Sequence, residues 1–191
     1  MMKRSCVVAG SFDPVTRGHL HVVHAAQKVF DNVFVAVLNN ASKEYMFTSE
    51  QRLELLEIAC REPGLGNVRT LAWDGLLVSL LDELHIEFVV RGIRDARDAD
   101  AERQIAAVNE MLRPGTMTVW VSGSAETEAV SSTIVRELIQ FGADIRILVP
   151  DEVAERICEM RSANAHDASD RVHRKGGGGR PRDQRCPMQP V

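Results

Sequence analysis

The chain contains no stretch approaching the roughly 18 consecutive apolar residues that a membrane-spanning helix needs. Its first residues, Met1-Met2-Lys3-Arg4, lead into a short strand and not into the apolar core of a secretion signal, so a cytoplasmic protein that does not engage membranes is expected. Cysteine is sparse. Cys6, Cys60, Cys158 and Cys186 lie far apart with no paired metal spacing, which argues against a zinc site and leads us to expect free thiols. Internal repeats are absent. What remains, 45% hydrophobic and 26% charged residues over 191 positions, is the composition of one ordinary globular domain with a full core.

Charge is spread unevenly. From Arg161 onward there are seven Lys/Arg and three Asp/Glu, a local net of +4, whereas the preceding residues carry 16 basic and 24 acidic side chains. Residues 163–191 hold Gly176-Gly177-Gly178-Gly179, three prolines, no aromatic residue and hardly any aliphatic one, so burial cannot offset the entropy of ordering them. We therefore expect a domain over 1–162 followed by a disordered basic tail over 163–191. Without aromatic platforms the tail reads as a solvated extension, and no nucleic-acid partner is expected.

The body alternates apolar runs with amphipathic stretches. Strands are expected at Cys6 to Ala9, Val33 to Leu38, Val68 to Leu71, Phe88 to Val90 and Met117 to Val121, separated by helices near 18–29, 49–61, 76–84, 98–112 and 131–141, with a terminal helix from Pro150 to Met160. Nearly continuous Val/Ala/Leu strands suit a sheet covered on both faces. The fold class expected is α/β, a doubly wound parallel five-stranded sheet with helices on both faces, whose ligands sit beyond the carboxyl ends of the strands.

The residues capable of chemistry cluster just past those strand ends. Gly10-Ser11-Phe12-Asp13-Pro14-Val15-Thr16-Arg17-Gly18-His19 runs from the first strand into the first helix, whose unpaired N–H groups and positive dipole end suit an anion. His19 on the first turn adds a donor, cationic when a phosphate is present. Asp13 is read as shaping the turn. By itself such a turn also serves packing alone. Lys43 lies on the loop before a helix capped by Thr48 or Ser49, and in isolation reads as a solvated lysine. After the fourth strand, Arg91-Gly92-Ile93-Arg94 offers a fork for phosphate oxygens, although the same arginines suit pairing with Asp95, Asp98 and Glu102 along a helix. Finally, Ser131 and Ser132 open another helix, either as a plain cap or as a second anion site.

Together these blocks resemble a known family. Gly-Ser-Phe-Asp-Pro followed by Thr-x-Gly-His is similar to the signature of the nucleotidylyltransferases, which move a nucleoside monophosphate from a triphosphate to a phosphate-bearing acceptor. Ser42-Lys43-x-x-Met46-Phe47-Thr48-x-Glu50-x-Arg52 and Arg91-Gly92-Ile93-Arg94 with Asp98 and Glu102 resemble the phosphopantetheine adenylyltransferases within that superfamily, as does Asn109. The resemblance covers about residues 1 to 160. It implies reversible adenylyl transfer from ATP to 4′-phosphopantetheine, giving dephospho-coenzyme A and pyrophosphate. It also implies Mg²⁺ carried by the ATP phosphates, with no dedicated protein metal site, a homohexamer, and feedback by coenzyme A.

The same resemblance assigns roles. Ser11, His19 and Lys43 fall on the transferring phosphates, and Arg91 on the acceptor phosphate. Phe12, Gly92, Ile93, Arg94 and Glu102 fall along the nucleotide, and Thr127, Glu128, Ala129, Val130, Ser131, Ser132 and Thr133 around the ATP phosphates and adenine. Leu77 joins Ser11, Lys43 and Arg91 on the acceptor side. Ala99, Ala101 and Ala129 stand where the family has aromatic residues, and Ser131-Ser132-Thr133-x-x-Arg136 is equally similar to the nicotinamide-mononucleotide adenylyltransferases. Two alternatives stay open on the sequence: an adenylyltransferase for another acceptor such as nicotinamide mononucleotide, and a nucleotide-binding module without turnover. His21, His24 and His85 are taken as helix or surface residues.

Overall fold

The computed structural model describes residues 3–40, 43–124, 127 and 129–173, with side chains to 163. Eleven elements follow in order: β1 (Ser5–Gly10), α1 (Arg17–Gln27), β2 (Asn32–Leu38), α2 (Ser49–Ala59), β3 (Val68–Trp73), α3 (Leu77–Leu84), β4 (Phe88–Ile93), α4 (Ala96–Leu112), β5 (Met117–Ser122), α5 (Ser132–Phe141) and α6 (Asp151–His173). The five strands form one parallel sheet in the order β3-β2-β1-β4-β5. The chain winds outward from β1 in both directions, so the order reverses between β1 and β4, and the crevice beyond that pair is where ligands of such sheets bind.

The two faces are read directly from strand alternation. Cys6 and Val8 of β1, with Val33, Val35 and Val37 of β2, point to the face covered by α1, α2, α5 and α6. There they meet Leu20, Val23, Leu55, Leu56, Val135, Ile139, Val153 and Ile157. Val7, Ala9, Ala36 and Val89 point the other way and pack with Leu80 and Leu81 of α3. Burial on both faces is why these strands carry no polar alternation.

Two boundaries differ most from the sequence reading, the others shifting by one or two residues. β4 was expected to end at Val90 but continues to Ile93, because Arg91, Gly92 and Ile93 pair with Trp120, Val121 and Ser122 of β5. A neighbouring strand supplies the partners that local composition does not. Likewise α6 passes Met160 and runs to His173, through a stretch with several alanines and neither glycine nor proline; residues 174–191 of the expected tail lie outside the described residues. Cys6 and Cys60 are free, with burial pushing each thiol up to about 12, whereas Cys158 is disulfide-bonded, contrary to the expectation of free thiols. Among the described residues no helix is long and apolar enough to cross a membrane.

Candidate active site

A cavity of about 650 Å³ opens beyond the carboxyl ends of β1 and β4, at the reversal of strand order. Its wall begins with the turn after β1. Phe12 adopts φ of +48°, a left-handed conformation that a large side chain rarely takes. The ring is buried and meets the His19 ring edge-on, with centroids 4.9 Å apart. Gly10 makes this possible: a Cβ there would stand 3.1 Å from Phe12 Cζ.

His19 is fixed by the helix start itself. Thr16 caps α1, its hydroxyl accepting the His19 N–H, while the Thr16 N–H donates to His19 Nδ1 at 3.0 Å. This is a capping box in which imidazole takes the place usually held by Glu or Gln. With Nδ1 accepting, the neutral ring carries its proton on Nε2, which is left as the remaining donor. Burial, then the charges of Arg94 and Arg91, lowers His19 from its ordinary value to about 4. The ring is therefore neutral at pH 7 before an anion arrives, and the cation expected of it in the sequence is one that only a bound phosphate would induce.

Arg91 and Glu102 meet across the cleft. The Nε of Arg91 donates to Glu102 Oε2 at 2.7 Å and Nη2 donates to Oε1, a side-by-side pair, while Nη1 donates to the carbonyl of Ala9. Three of the five guanidinium N–H groups are thus committed, leaving one on each terminal nitrogen. Arg94 pairs with Asp98 at 3.4 Å. Both arginines make the ion pairs foreseen as the alternative to phosphate binding and still line the cavity. Gly92 between them lets α1 approach β4, since a Cβ there would lie 2.7 Å from Val22 Cγ2.

Lys43 lines the same cavity from the β2–α2 loop, and among the described residues no carboxylate pairs with it. That loop is held by Asp13, whose buried carboxylate accepts the N–H groups of Met46 at 2.9 Å and Phe47 at 3.0 Å. The turn-shaping role read for Asp13 is therefore only part of its work. Opposite, Ser131 caps α5, and the Ser132 hydroxyl donates to the carbonyl of Pro14 at 2.8 Å. Arg136 of α5 donates to the Asp13 carbonyl at 2.7 Å.

Ser11, Phe12, His19, Lys43, Arg91, Gly92, Ile93, Arg94, Glu102, Thr127, Val130, Ser131, Ser132 and Thr133 all line this one cavity. Two expected residues among those described do not join them. Leu77 packs with the second core beside Leu80 and Leu81, and Ala129 is exposed away from the lining. Glu128 lies outside the described residues, as does Ser42 of the lysine segment. Sequence reading missed His21, which lines the cavity with Nε2 3.1 Å from the Ser122 carbonyl oxygen, as well as Arg136 and Tyr45. Spacing three residues after Gly18 marks His21 as the next residue on that side of α1, a signal that was available.

A family model described as cytidylyltransferase-like matches residues 7–138. The phosphopantetheine adenylyltransferase of Clostridium beijerinckii is 42% identical over 154 residues, 81% of this chain and 96% of that protein. The chain belongs to the phosphopantetheine adenylyltransferase family. The Natranaerobius thermophilus member is 36% identical over 84% of this chain and 98% of its own length. A solved structure from Vibrio parahaemolyticus, named as a candidate nicotinate-nucleotide adenylyltransferase, superposes with a TM-score of 0.61 at 19% identity, covering 82% of this chain and 99% of that one. That likeness establishes the shared fold.

Proposed function

We propose that this chain transfers the adenylyl group of ATP to 4′-phosphopantetheine, releasing pyrophosphate and forming dephospho-coenzyme A. The observation that carries the reading is the meeting of two helix N-termini, those of α1 and α5, with His19, Lys43 and Arg91 on one cavity at the reversal of strand order. An oxygen of the acceptor phosphate attacks the α-phosphorus in line; a new P–O bond forms as the bond to pyrophosphate breaks. A phosphate monoester is already anionic at neutral pH, so the chain needs neither a covalent intermediate nor a strong base. Its work is positioning and charge neutralisation.

The roles follow from what each group has free. His19 donates through Nε2–H, and a bound polyphosphate raises its affinity for a second proton. Lys43, with no ion pair among the described residues, meets the transferring phosphates. Ser11 donates to the transferred or acceptor phosphate, and Arg91 anchors the acceptor with its two uncommitted N–H groups. The nearby carboxylates are occupied: Asp13 by two backbone N–H groups, Glu102 by Arg91, Asp98 by Arg94. Among the described residues no group of three potential ligands gathers. Mg²⁺ would therefore be held by phosphate oxygens and water, where it neutralises polyphosphate charge.

A cytoplasmic homohexamer inhibited by coenzyme A completes the reading. Family resemblance supports it, and α4 exposes Ile105, Val108, Met111 and Leu112, a face suited to a second copy. The deciding assay is pyrophosphate release with ATP and either 4′-phosphopantetheine or nicotinamide mononucleotide. Release dependent on phosphopantetheine is expected. Release dependent on the mononucleotide moves the chain to the other acceptor, and ATP binding without release makes it a binding module.

A further inference from the structure

Among the described residues, Arg52 is a buried cation with no counter-ion. It lies on α2 with 1% of its surface exposed, outside the cavity lining, and among the described residues no carboxylate comes within ion-pair distance. Its guanidinium contacts are uncharged. Nη1 donates to the carbonyl of Ser11 at 2.7 Å and to that of Leu38 at 3.4 Å, Nη2 donates to Asn39 Oδ1, and the plane sits over the Tyr45 ring at 4.1 Å. The Nε–H is buried without a partner among the described residues.

Burying an unpaired guanidinium is unfavourable, so a core position of this size would ordinarily carry an apolar residue. What Arg52 reaches explains its presence. Ser11 ends the turn after β1, Leu38 ends β2, and Asn39 and Tyr45 bracket the loop that carries Lys43. One planar group thus ties the phosphate-facing turn to the lysine loop from behind the cavity wall. A lysine or leucine has no fork with which to hold three acceptors and a ring at once.

We propose that Arg52 is a positioning residue for adenylyl transfer, setting Lys43 and Ser11 in register with each other. The proposal rests on the assignment of Lys43 and Ser11 above. A residue that acts through Lys43 should matter little once Lys43 is gone, because effects within one unit are not multiplicative.

The test is a cycle of Arg52→Lys, Lys43→Ala and the double variant, read as kcat and as KM for both substrates from pyrophosphate release on the full chain, with melting curves for each. Arg52→Lys is expected to lower kcat about tenfold with each KM changed less than about threefold. In the Lys43→Ala background the same change should alter kcat less than about twofold. Tyr45→Leu, which removes the stacking partner but strands no buried charge, should give a smaller kcat loss that also vanishes in that background. It keeps the test sharp if Arg52→Lys folds poorly. Losses that multiply in the double variants, or a wild-type kcat for both Arg52→Lys and Tyr45→Leu, overturn the positioning role while leaving Lys43 in place. A wild-type kcat for Lys43→Ala overturns the assignment of Lys43 and the proposal with it.

Discussion

The lowered proton affinity of His19 has a measurable consequence for stability. The imidazole has an ordinary value of 6.5 and stands at about 4 in the fold, lowered first by burial and then by Arg94 and Arg91. Between those values the unfolded chain holds a proton that the folded chain refuses. Stability contributed by the neutral ring is therefore complete above about pH 6.5, declines as pH falls through the window, and is lost below about pH 4. A difference of about 2.5 units at 1.36 kcal/mol each sets a ceiling of about 3 kcal/mol, and water in the open cleft reduces it.

Carboxylates titrate in the same window, so the wild-type curve alone does not isolate His19. Urea unfolding of wild type and His19→Asn at about pH 7, 5.5 and 4.5 does, since the asparagine has no proton to gain. The variant is expected to improve relative to wild type by about 2 kcal/mol from the highest to the lowest pH. A gap between the two proteins that stays constant with pH would refute the reasoning, as would an imidazole resonance of His19 titrating near 6.5. Bound ATP, placing negative charge beside the ring, should raise its proton affinity. Binding then takes up protons below neutrality, which calorimetry in two buffers of different ionisation heat would detect.

Other substitutions separate the proposed roles. His19→Ala should lower kcat about 10²-fold or more while ATP affinity changes only a few-fold, because a donor used mainly in the transition state acts on turnover; steady-state kinetics and titration check both halves. Arg91→Ala should raise KM for phosphopantetheine at least about tenfold and leave ATP affinity within about threefold, and ATP affinity collapsing instead would reverse the two substrates' ends. Gly92→Ala should destabilise by about 1–3 kcal/mol, since the new methyl falls 2.7 Å from Val22 Cγ2, and Val22→Ala should restore much of it in thermal melts if that contact is the cause.

Much of the sheet was readable because each strand is a short apolar run buried on both faces, and burial of that kind leaves a local trace. Helix starts were readable for the same reason. Thr48 and Ser131 do cap α2 and α5, and a cap is settled within four residues. The capping box of Thr16 and His19 was equally local and could have been found by allowing imidazole in the third position. What local pattern could not supply was the choice among distant partners. Arg91 had Asp95, Asp98 and Glu102 within reach in the sequence, and only the path of β4 through Ile93 before the turn into α4 directs it to Glu102.

That same dependence on path explains why the distant contacts of Asp13 and Arg52 were not foreseen, although both residues stand in the motifs. In the sequence one is a residue in a turn and the other a charge on an amphipathic helix, each with an adequate local explanation. In the fold both lie behind the cavity wall, Asp13 holding the backbone of Met46 and Phe47 from below and Arg52 gripping Ser11 and Tyr45. Parallel strands end at the same edge of the sheet, so loops far apart in the chain arrive side by side, and each brings backbone groups that need partners. A charged side chain whose targets are backbone groups has no complementary residue type to announce it. Buried polar residues that bind backbone are thus the part of such a site least visible to motif reading. They are also the part that keeps Lys43 and Ser11 at a fixed separation, which positioning chemistry demands.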